Sequence, residues 1–299
     1  MSSSKKKILI TGGRGFLGRN LQEGLGDTYH ILAPGHTELD LLDEGQVRQF
    51  LTEHRFDVVI HCANHDDSRN SKKDPTIALK NNLYMFFNLI KHKSLYGRMF
   101  YFGSGRAYDQ RFYIPQMPEE YLGEHLPIDD YGLSKYIMSK YIENIPNICE
   151  LRIFGLFGKY EDWEIRFISY ACCKVMFGQD IVIHQNRYMS YVWVHDLIKL
   201  LKFFIEKESL KYSSYNICSA ERIDLLTITD KVQKIADKTV KVLRRVEELG
   251  KEYSGNNNRL KEEIGDFTFT NMDDSIKELY QWYEGNKASI DESLLLLNK

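Results

Sequence analysis

The chain lacks almost every feature that would cross-link it covalently, hold a metal or anchor it in a membrane. Its 299 residues include five cysteines, Cys62, Cys149, Cys172, Cys173 and Cys218, an odd number with no CxxC pair. This is no disulfide framework, and it implies reduced thiols and a cytoplasmic setting. None of the nine histidines stands in HExxH, so no metal site is expected. No run approaches the roughly 20 apolar residues that span a bilayer. The apolar stretch Ile8, Leu9, Ile10 behind Lys5, Lys6 and Lys7 is too short for a secretory leader. A formal net charge of −2 gives no long-range pull on nucleic acid or an anionic membrane. Linkers, internal repeats and low-complexity tracts are absent too.

What is present is ordinary globular material, 43% hydrophobic and 27% charged, enough for a substantial core. The first half alternates short apolar runs with helix-length amphipathic ones. Lys7 to Thr11, Tyr29 to Ala33, Asp57 to Cys62, Met99 to Gly103 and Cys149 to Phe154 each read as a buried strand, their apolar runs suiting a parallel sheet covered on both faces. Helices are expected at Phe16 to Leu25, Glu44 to His54, Pro75 to Leu95 and Tyr131 to Glu143, with Asp74 as an N-cap before a first-turn Pro75. This alternation predicts an α/β fold, a Rossmann doubly wound parallel sheet. The later part is less regular, with helices near Ile165 to Phe177, Asp196 to Lys207 and Asp274 to Tyr283 and a strand at Tyr191 to Val194. The expected division is a dinucleotide-binding domain over 1–154 and a smaller substrate lobe over 155–299, with some segments returning to the sheet.

Gly12, Gly15 and Gly18 follow the first strand in TGGRGFLG and open a helix near Phe16 and Leu17. That GxxGxxG spacing lets backbone approach a pyrophosphate at a helix N-terminus, where unpaired amides favour negative charge. Three glycines in a plain strand–helix turn are the alternative. An acid ending the second strand would bind ribose hydroxyls and repel a 2′-phosphate. Here Ala33, Pro34, Gly35 and His36 follow, with no acid until Glu38. Arg14 in the glycine loop is placed to meet a 2′-phosphate with charge-assisted hydrogen bonds. The reading therefore favours NADP(H), with NAD(H) as the alternative and a solvated loop charge as the plain reading of Arg14. Asp40 and Leu41, in LDLLD, are expected under the adenine, and Cys62, Ala63 and Asn64 beneath the cofactor. Asn82 is the candidate to brace that region, or else a buried asparagine that only satisfies backbone.

YxxxK occurs at Tyr131–Lys135, Tyr136–Lys140 and Tyr170–Lys174, and context separates them. Tyr131 opens a helix after LPIDD and follows a strand ending in Ser104, and Lys135 shares its helix face. Tyr136 faces elsewhere, and Tyr170–Lys174 has no matching serine strand and reads as helix surface. Reduction of a ketone puts negative charge on oxygen. Tyr131 would protonate that oxygen, Lys135 would favour the phenolate, and Ser104 would hydrogen-bond the developing oxyanion.

TGGRGFLG, DVVIHCAN, Asn82 and Asn88 in NxxxxxN, FGSGRAY, YGLSK and VWVHD together resemble the extended short-chain dehydrogenase/reductases that act on nucleotide sugars, from about residue 5 to 200. The later YNICSAERIDLL still looks like that family's YNIG-type segment. TGGRGFLG and TELDLLD look most like the GDP-fucose synthase-like 4-keto-sugar reductase branch. The resemblance implies a catalytic Ser104, Tyr131 and Lys135, and a phosphate-binding Arg14 with His36 as second basic residue. It also implies a nucleotide-sugar substrate and a homodimer built on the helices at 75–95 and 131–143.

The departures narrow the chemistry. Arg106 stands where the branch's epimerase-reductases carry a cysteine, which speaks against ring epimerisation by that means. Gly105 and Arg106 replace the Asp–Glu pair of the dehydratases. The family's NxYG becomes GLFG at Gly155 to Gly158, and Met189 replaces its diphosphate-binding arginine. Arg106 and Arg187 become the candidates to contact substrate, with Arg152 a second stand-in for the missing arginine. The preferred expectation is an NADP(H)-dependent reductase of a keto group on a nucleotide-activated sugar. A 4-epimerase with retained NAD and a non-catalytic cofactor-binding regulator are the alternatives.

Overall fold

The continuous apolar runs of the first half do pair as parallel strands. The computed structural model describes residues 5–65, 74–265 and 267–296; the outer ends of the two expected domains, residues 1 and 299, lie outside them. In chain order the first half runs β1 (Lys7–Thr11), α1 (Phe16–Leu25), β2 (His30–Leu32), α2 (Glu44–His54), β3 (Val58–His61), α3 (Ala78–Lys91), β4 (Arg98–Ser104), α4 (Asp130–Ile142) and β5 (Ile148–Ile153). The expected single helix from Pro75 to Leu95 is corrected to α3 flanked by 3₁₀ turns at Pro75–Ile77 and Lys93–Leu95. Asp74 does cap the first of these turns, accepting from the Thr76 N–H. β2 stops at Leu32, an edge strand paired only with β1, and Pro34 beyond it has no N–H to continue a ladder.

The second half runs β6 (Gly155–Phe157), α5 (Phe167–Met176), β7 (Ile181–Gln185), β8 (Tyr188–Met189), β9 (Tyr191–Trp193), α6 (Val194–Glu206), β10 (Ser214–Ile217), β11 (Ile223–Asp224), α7 (Leu225–Ala236), β12 (Val242–Val246), α8 (Asn258–Ile264), α9 (Met272–Gly285) and α10 (Glu292–Leu296). β10, inside the YNIC segment, joins the main sheet beside β5, which gives the strand order β10-β5-β4-β3-β1-β2, parallel throughout. The chain reverses direction across the sheet between β1 and β3, and ligands bind beyond the strand ends at such a switch point.

The core divides accordingly. Ile8, Ile10, Phe100 and Leu151 from the sheet pack with Leu197, Leu201 and Phe204 of α6 on one face, and Leu9, Val59, Met99 and Tyr101 pack under Phe86, Leu89 and Met138 of α3 and α4 on the other. A separate core joins α5, α7 and α9 through Cys172, Ile228, Ile276 and Leu279. Residues after 155 thus supply both the lobe core and one cover of the sheet. No helix among the described residues is long and apolar enough to cross a membrane.

Candidate active site

The glycine loop is shaped by close approach. Gly12 takes a φ of 69°, in the left-handed region that favours glycine, and a Cβ on it would lie 2.8 Å from the Ala63 backbone. Gly18, in the first turn of α1, would drive a Cβ to 2.6 Å from Gly13 Cα. The glycines therefore let β1, α1 and the end of β3 meet. Gly15 is the N-cap of α1 and supplies no side-chain cap, so the first N–H groups of this helix are left for another acceptor. These residues form a cradle that fits a pyrophosphate.

At the end of β2 the Arg14 guanidinium lies across Gly35, where a Cβ would come within 2.7 Å of it. Glu38, the nearest acid in sequence, turns back to accept the Gly35 N–H at 2.7 Å. No carboxylate ends β2, and a cation covers that position instead. His36 is exposed and 3.5 Å from Asp40, whose carboxylate also accepts the Leu42 N–H.

One cavity of about 1360 Å³ runs from this loop along the ends of β1, β3 and β4 into the lobe. It exceeds the roughly 300–1,000 Å³ of a site for one small ligand, so two ligands fit side by side. Every residue expected at the cofactor lines it except Asn82, as do Ser104, Arg106, Tyr131, Lys135 and Arg187. Asn82 is buried behind the wall and exchanges two hydrogen bonds with the His65 backbone, while its neighbour Asn81 reaches the cavity. It braces the wall from behind through the His65 backbone and does not itself line the cavity. His61 and His65 are spaced HxxxH, but across the end of β3. His61 faces Thr11 at 2.8 Å and His65 faces Asp74 and Asn81, and no group of three or more metal-capable side chains occurs among the described residues. Burial lowers the His61 pKa to about 3.

α4 delivers the tyrosine and lysine. Asp129 caps it, accepting from the Gly132 N–H at 2.7 Å, and also binds the Arg106 guanidinium at 2.5 Å. That guanidinium stands 4.7 Å from the centre of the Tyr131 ring, and Lys135 Nζ is 5.5 Å from the same ring. Lys135 is buried and donates to the Phe102 carbonyl. Burial lowers its pKa to about 8, with Glu150 and Cys62 acting the other way. Ser104, at the end of β4, accepts from the Arg106 N–H at 3.2 Å.

The other YxxxK pairs stay apart from this set. Lys140 pairs with Glu143. Tyr170–Lys174 is not the helix surface expected: Lys174 is buried against Gln179 and Tyr170 reaches the cavity wall of the lobe. Arg152 is ruled out as a substrate contact, because it is buried under the sheet and bound to Glu150, Tyr108 and Asn216.

The lining also includes Tyr113, Glu161, Arg166 and Tyr253, which escape the sequence reading. Glu161 accepts from Ser169 at 2.7 Å, and burial raises its pKa to about 8. Tyr113 donates to the Gly105 carbonyl. None belongs to a motif, and only the lone aromatic in the polar KEYSGNNN stretch hinted at Tyr253.

A sequence profile of the NAD dependent epimerase/dehydratase family matches residues 8–218. The GDP-L-fucose synthase of Azorhizobium caulinodans is 37% identical over 87 residues, 28% of this chain and 28% of that protein. The structure of the GDP-mannoheptose C4 reductase from Campylobacter jejuni, with NADP bound, is similar at a TM-score of 0.81 and 18% identity, over 95% of this chain and 100% of that one. The Thermus thermophilus UDP-glucose 4-epimerase, complexed with NAD, gives a TM-score of 0.78 at 19% identity, over 93% and 99% of the two chains.

Proposed function

This chain belongs to the NAD dependent epimerase/dehydratase family, and from that premise we propose that it is an NADP(H)-dependent reductase of a keto group on a nucleotide-activated sugar. The observation that carries the reading is the setting of Tyr131, between the Arg106 and Lys135 cations and on the cavity shared with Ser104 and the glycine loop. Similar proteins are a GDP-sugar C4 reductase bound to NADP and a GDP-L-fucose synthase. The first supports reduction at C4, and both support a nucleotide-activated sugar as substrate.

NADPH, when bound, supplies the hydride. The α1 N-terminus and its glycines hold the pyrophosphate, and Arg14 takes the 2′-phosphate. Ser104 donates to the substrate carbonyl and steadies its oxygen as charge grows there. Tyr131 gives that oxygen its proton, a contribution of about 10² to 10⁴ in rate, and the two cations stabilise the phenolate left behind. In the lobe, Arg187 and Arg166 line the cavity and hold the nucleotide diphosphate, where Met189 can hold none.

Purified protein is mixed with NADPH and a panel of nucleotide 4-keto-6-deoxysugars, and NADPH consumption is followed. Binding of NADPH without consumption on any keto sugar would sink the reading. The similarity to an epimerase complexed with NAD favours one other activity, 4-epimerisation. Protein that keeps stoichiometric NAD(H) through gel filtration is that enzyme; free exchange of NADPH marks the reductase.

A further inference from the structure

We propose that Glu150 is a positioning residue for Lys135: its buried carboxylate, reaching over β4, is the counter-charge that holds the lysine as an ammonium beside Tyr131. The inference rests on the reductase reading for its kinetic consequence, but not for the charge on the lysine.

Glu150 lies in the middle of β5, opposite Tyr101 of β4, and is fully buried. A carboxylate in such a place needs partners, because an unpaired charge in the interior is costly. Its side chain leans over β4, where a Cβ on Gly103 would collide with Oε1. Glycine at 103 is what lets the carboxylate reach the helix above. There the Ser139 hydroxyl of α4 stands 2.6 Å from Oε1 and 2.8 Å from the Lys135 carbonyl oxygen. Lys135 and Ser139 are four residues apart and share the buried face of α4. The Lys135 ammonium comes down on the same strand, 3.3 Å from the Phe102 carbonyl and 4.9 Å from the centre of the Tyr101 ring. The two opposite charges therefore meet over adjoining residues of β4, both out of water. Oε2 takes the Arg152 guanidinium at 2.6 Å, which Tyr108 and Asn216 hold from the other side.

The other described groups around Lys135 bring no negative charge. His61 and Cys62 come from β3, Tyr101 from β4, and Tyr131 from α4 itself. Burial keeps His61 neutral, with a pKa of about 3, and raises those of Cys62 and Tyr101. Arg106, just past β4, faces the Tyr131 ring as a second cation. On α3, packed against α4, Lys80, Tyr84 and Lys91 are exposed. Burial favours the neutral amine of Lys135, and Glu150 is the chief group acting against it. A neutral amine would leave Tyr131 without one of its two cations.

The test follows the lysine itself by NMR of protein labelled with [ε-¹³C]lysine, with Lys135→Met identifying its signal. Lys135 should titrate near pH 8 in the parent and about one pH unit or more lower in Glu150→Gln. That variant leaves Arg152 buried without its partner, which can prevent folding. Glu150→Gln with Arg152→Gln removes both charges and should show the downward move in a folded chain. An unmoved Lys135 titration in either folded variant overturns the proposal. On a keto sugar that is turned over, the fall of kcat at high pH should set in earlier by the same interval. A purely structural role would instead scale kcat at every pH and leave that limb where it was. Should the parent turn over no keto sugar, the reductase reading fails while the lysine titration still decides the counter-charge.

Discussion

On the proposed reading, Arg14 is the residue on which the choice of cofactor turns. Its guanidinium lies over Gly35, the position from which an acid would meet a ribose, and a charge-assisted pair with a 2′-phosphate is worth about 1.5–3 kcal/mol. Arg14→Ala should weaken NADPH binding roughly ten- to hundredfold and leave NADH binding unchanged, as read by fluorescence titration of each; equal losses for both would refute the assignment. Tyr131→Phe should abolish turnover with cofactor binding intact, and surviving activity would remove Tyr131 from its role. Glu161 makes a prediction about pH. Its pKa is about 8 in the folded chain against 4.5 for an ordinary glutamate, so the unfolded state ionises first as pH rises. Stability from this group is therefore full below about pH 4.5 and lost as pH climbs through about 8. Each unit of difference is worth about 1.4 kcal/mol. Glu161→Gln should lack this loss, so the parent's Tm relative to the variant should drop between about pH 4.5 and 8 and level off above; parallel Tm curves would show that the carboxyl is already ionised. His61, whose folded pKa is lowered to about 3, is the same in both proteins and cancels in the comparison.

At the scale of elements, α4 concentrates most of the chemistry because one cap serves two purposes. Asp129 satisfies the Gly132 N–H and anchors Arg106 over Tyr131. Asp129→Ala should cost about 1 kcal/mol of stability, the usual worth of an N-cap, and also lower kcat by releasing Arg106. A stability loss with an unchanged kcat would mean that Arg106 needs no anchor. Legibility also varies by element. β1, β3, β4 and β5 are buried almost end to end, and a strand covered on both faces announces itself as an apolar run. α4 was found through Tyr131 and Lys135, since YxxxK after a serine-ended strand is a chemical pattern. The lobe offers no such signal. β8 and β11 are two residues each, and β12 reads VLRRV with its middle exposed, so neither alternation nor apolar content marks them. Tyr253 sits beyond all of these in an irregular segment. It belongs to the site only through tertiary contact with Gly105, which no local pattern encodes.

The whole molecule leaves one face unexplained by either ligand. α3 and α4 pack side by side on the sheet, and their outer surface carries Tyr84 and Tyr141, 53% and 45% exposed, with Phe87 stacked edge-on to Tyr141 at 4.9 Å. Aromatic side chains on two adjacent helices are costly to leave in water, and a two-fold axis beside them would bury both pairs as a four-helix bundle. Such an interface is isologous: each helix meets a copy of the pair, and closure at two subunits follows from the symmetry. We propose that the protein is a homodimer through this face. Static light scattering should give twice the 35.1 kDa of the chain. Tyr84→Glu with Tyr141→Glu puts like charges on the axis and should return the mass of one chain, while NADPH still binds at the glycine loop. A parent that runs as a monomer at every concentration defeats the proposal. So does a double variant that stays dimeric, because the contact must then lie elsewhere on the surface.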